Sequence, residues 1–136
     1  MTILTAEESL DYLYSLIPNG IKLGLENISF VLSELGDPQK KTPTIHIAGT
    51  NGKGSTAAFC ESILRNAGYR VGLYTSPHLI HFSERIQINR NPIPENEMVS
   101  CIMKIKNVVE KFKIPITFFE FGTAIAFLYF SDQKTD

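Results

Sequence analysis

The sequence has 136 residues, enough for one hydrophobic core, and its 43% apolar and 20% charged residues are those of an ordinary globular chain. A formal net charge of −1 with no run of basic residues argues against a dedicated nucleic-acid surface. No apolar stretch is long enough to span a bilayer, and the early acids Glu7 and Glu8 argue against a secretory leader. Cys60 and Cys101 stand alone, without disulfide or metal spacing, which predicts buried thiols, a reducing compartment and a cytoplasmic location.

Thr5 and Glu8 have the spacing of a capping box, and Ala6, Leu10, Leu13, Tyr14 and Ile17 then form one helical face that Pro18-Asn19-Gly20 ends. After Lys22-Leu23-Gly24, a second helical stripe runs through Leu25, Ile28, Leu32 and Leu35 to the stop at Gly36-Asp37-Pro38. Thr44-Ile45-His46-Ile47-Ala48 reads as a buried strand, with His46 as a structural residue. A glycine-rich loop follows, then a helix over residues 55–67 closed by Gly68, then a strand over residues 70–74. That spacing predicts a strand–helix–strand unit with parallel strands and a right-handed crossover. Beyond Ser76-Pro77, Arg85-Ile86-Gln87-Ile88-Asn89 alternates like an exposed or edge strand, and residues 89–94 are rich in turn formers. Met98, Ile102, Ile105, Val109 and Phe112 mark a long helix, with Lys104, Lys106, Lys111 and Lys113 as its solvated face. Thr117 and Glu120 suggest a second capping box, opening a helix so apolar over residues 121–130 that it needs cover on every side.

The loop Gly49-Thr50-Asn51-Gly52-Lys53-Gly54-Ser55 carries the chemistry. Its glycines permit positive φ and close backbone approach, and successive N–H groups at a helix N-terminus form an anion nest. Lys53 adds a mobile positive charge able to follow a phosphoryl group as it moves. The pattern is shorter than the common P-loop, with only Thr50-Asn51 between the first glycine and Gly52-Lys53. Gly54 fills the place of the usual Mg²⁺-binding hydroxyl, so Ser55, Thr56 or an oxygen elsewhere must serve. Ser76, at the end of the next strand, is placed for that role, because the carboxyl ends of parallel strands converge on one crevice.

The run from His46 to Thr56, with Thr75-Ser76-Pro77-His78-Leu79, Glu84-Arg85-Ile86 and Phe119-Glu120-Phe121-Gly122-Thr123, resembles the folylpolyglutamate synthase family, which includes dihydrofolate synthases and sits within the Mur ligase superfamily. The resemblance implies an α/β fold, a P-loop-type parallel sheet flanked by helices, with the N-terminal helices preceding the first strand. It implies ATP and Mg²⁺ as cofactors, and dihydropteroate or a folate with L-glutamate as substrates. Carried over by residue, Thr50, Asn51, Gly52, Lys53, Gly54 and Ser55 hold the ATP phosphates, with Lys53 stabilising the transferring group. Ser76 becomes the Mg²⁺ ligand. Lys22, Leu23 and Gly24, with Thr117, Phe118, Phe119 and Glu120, line a pterin pocket, beside which residues 78–89 form a mobile loop. Glu120 also fits a purely capping role, and Phe118 and Phe119 a purely packing one.

The resemblance further implies that residues 1–136 are the N-terminal portion of a Mur-ligase-like ATPase domain, with the rest of that domain and a C-terminal glutamate-ligase domain lying outside them. The expectation is an inactive fragment, whose apolar last helix lacks cover and favours association. Two other readings are a different Mur-type amino-acid ligase and a non-catalytic nucleotide-binding module that depends on a separately encoded second half.

Overall fold

The computed structural model describes residues 4–20 and 23–136. In chain order it contains α1 (Ala6–Ser15), α2 (Glu26–Glu34), α3 (Lys53–Asn66), β1 (Gly72–Tyr74), β2 (Ile86–Ile88), β3 (Asn91–Pro92), α4 (Glu95–Phe112) and α5 (Phe118–Asp132), with short 3₁₀ turns at Ile17–Asn19, Pro38–Lys40 and Phe82–Arg85. Both capping boxes form. Glu8 N–H donates to the Thr5 hydroxyl at 3.2 Å and Thr5 N–H to the Glu8 carboxylate at 2.7 Å; the Thr117–Glu120 pair repeats this at 3.2 and 2.9 Å, but buried.

Helix α5 is the centre of the molecule. Phe121, Ala124 and Ile125 are fully buried, and Ala126, Leu128 and Tyr129 nearly so. Its cover comes from α1, α2 and α4, with β1 on a further side. The expectation of an uncovered last helix is therefore wrong: the amphipathic faces of the earlier helices supply what an all-round apolar helix requires. Where α5 meets the sheet there is no room for a side chain on β1, since a Cβ at Gly72 would lie 2.8 Å from the Phe130 ring. The approach to α5 is pinned by two asparagines. Asn19 Nδ2 donates to the Ile116 carbonyl at 2.8 Å and Asn27 Nδ2 to the Pro115 carbonyl at 2.9 Å. At its far end, the Arg70 N–H donates to the Asp136 carboxylate at 2.7 Å.

The sheet departs from expectation. It has three strands in the order β1-β2-β3, all antiparallel, with Tyr74 opposite Ile86 and Gln87 opposite Pro92. Residues 44–48 form no ladder, and Ile45 is 65% exposed, so the parallel strand–helix–strand pairing is not made among the described residues. A strand of buried composition needs neighbours on both sides, and β1 directs its described ladder to β2. Ile86–Ile88 accordingly lies in the middle of the sheet rather than at its edge, with both isoleucines buried. Its hairpin turns at Asn89 and Arg90, both at positive φ (48° and 69°), which is the pattern of a two-residue primed turn.

The helix left uncovered is α3. Phe59 and Ile63, one turn apart, are each 69% exposed, His46 and Cys60 are not buried, and only Cys101 meets the buried-thiol expectation. The lysines of α4 are not merely solvated: Lys104 pairs with Asp132 at 2.8 Å, and Lys106 pairs with Glu110 and sits 4.9 Å from the Tyr12 ring centroid.

Phe121, fully buried and edge-on to Tyr12 with centroids 5.7 Å apart, tests the packing around α5. Phe121→Ala is expected to cost about 3–5 kcal/mol of stability, read from denaturant unfolding. An effect confined to a few tenths of a kcal/mol would mean that α5 is not the load around which the helices pack.

Candidate functional site

The 49–55 loop is formed by backbone conformation rather than by side-chain capping. Gly49 has φ 152° and Gly52 φ 74°, conformations that an L residue rarely adopts. Gly52 is the N-cap of α3, and no side chain accepts from the first turn. The N–H groups of Lys53, Gly54 and Ser55 therefore precede the first intrahelical bond, which Thr56 N–H makes to the Gly52 carbonyl at 2.9 Å. A Cβ built at Gly52 or Gly54 meets nothing within 4 Å, so the approach to these amides is open. Lys53 Nζ donates to the Gly49 carbonyl at 2.6 Å and reaches the Thr50 carbonyl at 3.4 Å, which holds the ammonium against the loop. Residues 49–56 are all exposed. A glycine cradle, unspent amides and a folded-back lysine fit a phosphate group.

Ser76 stands two residues beyond β1, exposed, in a cis bond to Pro77. The end-of-strand position is as expected. A hydroxyl there suits a Mg²⁺ ion that keeps most of its waters and takes its charge from phosphates. Among the described residues no group of three or more His, Cys, Asp or Glu gathers into a metal-binding set.

A second region surrounds the start of α5. Phe118 stacks on Tyr14 (5.9 Å, 18° between planes) and meets Phe82 edge-on (5.9 Å, 76°). The Arg85 guanidinium lies 5.2 Å from the Phe118 centroid and 5.6 Å from that of Phe82, so it is held by both rings. Its Nε donates to His78 Nδ1 at 2.7 Å. Beneath them the Tyr74 hydroxyl is buried without a hydrogen-bond partner; burial raises its pKa, and neighbouring Thr123 and Arg85 offset part of the rise. A cavity of about 410 Å³ adjoins the cluster, lined in part by Leu10, Tyr14, Ile80, Phe82 and Met98. A larger groove of about 500 Å³ runs between α1 and α4, past Ala6, Val99 and Met103, and shares Glu95 with this cavity.

The expected pterin-pocket residues divide. Phe118 joins the aromatic cluster, whereas Phe119 is 59% exposed. Glu120 does cap α5, through Oε2; its Oε1 is buried without a hydrogen-bond partner. Leu23 is 90% exposed and Gly24 is exposed too, and neither makes a hydrogen bond or ring contact with residues 117–120. Lys22 lies outside the described residues. Sequence reasoning missed Tyr14, which has the spacing of an ordinary core residue, and Arg85, which appeared inside a recognisable motif without a role.

The loop between β1 and β2 is organised by one carboxylate. Glu84 accepts from the N–H groups of Leu79 (2.9 Å), Ile80 (3.0 Å) and His81 (2.7 Å), leaving the Leu79 and Ile80 side chains 93% and 77% exposed. The amides, that of His81 foremost, hold the carboxyl below the usual glutamate range.

No family model matches the chain. A curated relative from Bacillus subtilis, a dihydrofolate synthase/folylpolyglutamate synthase, is 41% identical over 136 residues, covering 96% of this chain and 31% of the relative. The solved folylpolyglutamate synthase of Thermotoga maritima superposes with a TM-score of 0.89 at 44% identity, over 96% of this chain and 31% of that one. Escherichia coli FolC in complex with DHPP and ADP gives a TM-score of 0.89 at 38% identity, over 98% and 32%. The chain thus spans about a third of the length of the relatives it matches.

The Glu84 tether has a pH dependence of defined sign. A folded pKa below the unfolded one means that the tether is complete above the ordinary glutamate range and is lost as pH falls through the folded value. Amide-exchange protection of Leu79, Ile80 and His81 is expected to fall across that acidic window, and Glu84→Gln is expected to lower it already at neutral pH. Unchanged protection in Glu84→Gln would show that the loop holds its shape without the carboxylate.

Proposed function

The chain belongs to the folylpolyglutamate synthase/dihydrofolate synthase family, spanning about a third of its members' length, and on that premise we propose that residues 1–136 supply the phosphate-binding part of an ATP-dependent ligase joining L-glutamate to dihydropteroate or a folate. The observation that carries this reading is the 49–55 loop: two glycines at positive φ, an uncapped helix N-terminus and Lys53 folded over it. A relative solved as an AMPPCP–folate complex is 34% identical with a TM-score of 0.88, and FolC was solved with ADP, which supports placing ATP on this loop. In this reading the chain is the N-terminal portion of a Mur-ligase-like ATPase domain working in the cytoplasm.

The chemistry is activation of a carboxylate. The γ-phosphoryl group of ATP passes to a substrate carboxylate oxygen, and the amine of glutamate displaces phosphate from the acyl phosphate to leave an amide. The chain's own residues position and neutralise charge. The amides of Lys53, Gly54 and Ser55 hold phosphate oxygens, and the Lys53 ammonium, released from the Gly49 carbonyl, follows the transferring group. Thr50 and Asn51 shape the approach to the loop. Mg²⁺, when bound through Ser76, supplies further neutralisation of phosphate charge. Phe118, with Tyr14 and Phe82, offers a flat ring an aromatic surface, and Thr117 and Glu120 fix the start of that helix. Leu23, Gly24 and Phe119, all exposed here, are assigned to pterin binding by the resemblance alone.

Two measurements test this reading. Lys53→Ala is expected to weaken ATP binding by roughly tenfold or more, followed by calorimetric titration of the 136-residue chain. Equal affinity in the variant would remove the loop from the site. The same chain is expected to bind ATP without incorporating labelled glutamate into dihydropteroate or tetrahydrofolate, because the resemblance puts further metal ligands and the glutamate-ligase domain in the part of the relatives that it does not span. Turnover at ordinary enzyme rates would refute the assignment of those groups.

A further inference from the structure

The single buried residue of α3 is a carboxylate. Glu61 is 2% exposed on a helix whose apolar Phe59 and Ile63 face outward. Its Oε1 accepts from Arg65 Nε at 2.9 Å, one turn along the same helix. Its Oε2 is buried without a hydrogen bond, and Arg90 Nε stands 4.0 Å from it across the gap between α3 and the β2–β3 turn. Arg90 does not hang from a loose loop. It sits at φ 69° in the hairpin turn, next to Asn89, and Asn89 is locked to the start of β1: the Val71 N–H donates to Asn89 Oδ1 at 2.9 Å, and the Asn89 N–H to the Val71 carbonyl at 2.9 Å.

From this arrangement we infer that Glu61 and Arg90 form the positioning contact that sets the phosphate loop relative to the sheet. The inference rests on the ATP reading of that loop and adds a residue pair with no contact to the nucleotide. With Glu61 buried and Arg90 half exposed, the pair contributes little net stability, but it joins two named groups on two elements, whereas an exposed apolar helix face has no such partner. Glu61 lies eight residues along α3 from Lys53, roughly 12 Å at 1.5 Å per residue, so a tilt of about 10° displaces the loop amides by roughly 2 Å. Hydrogen bonds to phosphate oxygens do not survive that displacement, since their working range spans only tenths of an ångström. Arg65, on the same helix as Glu61, cannot fix the helix to anything else; Arg90 can.

The test uses Glu61→Gln, which keeps the size of the side chain while removing its charge, and Arg90→Gln, which removes the guanidinium charge with a shorter side chain, with Arg90→Lys as the charge-keeping rescue. Each glutamine variant is expected to weaken ATP binding by roughly ten- to a hundredfold. The double variant is expected to bind no worse than the poorer single, because the two charges act as one contact. Arg90→Lys is expected to restore most of the affinity. In the ligand-free chain, the amide resonances of Gly49, Gly52 and Gly54 are expected to shift in both glutamine variants while those of α4 and α5 hold. Unchanged ATP affinity in folded Glu61→Gln, with Lys53→Ala still defective, would overturn the inference and leave the ATP reading standing. Should the unsubstituted chain bind no ATP, the ATP reading fails, and the ligand-free resonances decide the positioning alone: a loop shift supports it and its absence overturns it. Arg90, 53% exposed, provides the variant that folds if the change at Glu61 does not.

Discussion

An all-round apolar helix placed in water has to be enclosed, and the arrangement of this chain follows from enclosing α5. The apolar stripes of α1, α2 and α4 are spent on it, and β1 gives up a side chain at Gly72 to let Phe130 approach. The polar groups at its entry cannot be left dry. Asn19 and Asn27 satisfy the carbonyls of Ile116 and Pro115, and Thr117 and Glu120 satisfy the first-turn amides. The two asparagine contacts join residues near one end of the sequence to residues near the other. The N-terminal helices are therefore structural partners of α5 rather than a preface to the sheet.

The same enclosure builds one side of the functional region and leaves the other side open. Phe118 is brought against Tyr14 by α1 packing on α5, and against Phe82 and Arg85 by the return of the chain from β1 to β2. The aromatic surface is thus a by-product of core formation, which is why it is well defined. The 49–55 loop has no such support. It stands at the exposed end of a helix whose one fully buried side chain is the carboxylate of Glu61. Burial in one region and exposure in the other come from a single distribution of apolar residues.

Most of the helices were legible in the sequence, because both caps, the glycine stop at Gly68 and the 3.6-residue periodicity are local signals. The glycine-rich loop that opens α3 was legible for the same reason: its glycines and Lys53 lie within a few residues of one another. The sheet was not. Thr44-Ile45-His46-Ile47-Ala48 has the composition of a buried strand, but composition does not say whether neighbours exist, and among the described residues it has none. The antiparallel hairpin was hidden by its turn, since Asn89-Arg90 lacks the glycine that usually marks one. Arg85 acquires its place from Phe118, a partner that the chain brings near only after folding.

The outward-facing Phe59 and Ile63 bear on handling the protein. They bury little in this chain, so polar replacements there forfeit little packing while removing apolar surface from α3. The residues that enclose α5 and those that expose apolar surface on α3 are separate, so one helix face can be altered with the core around α5 left as it stands.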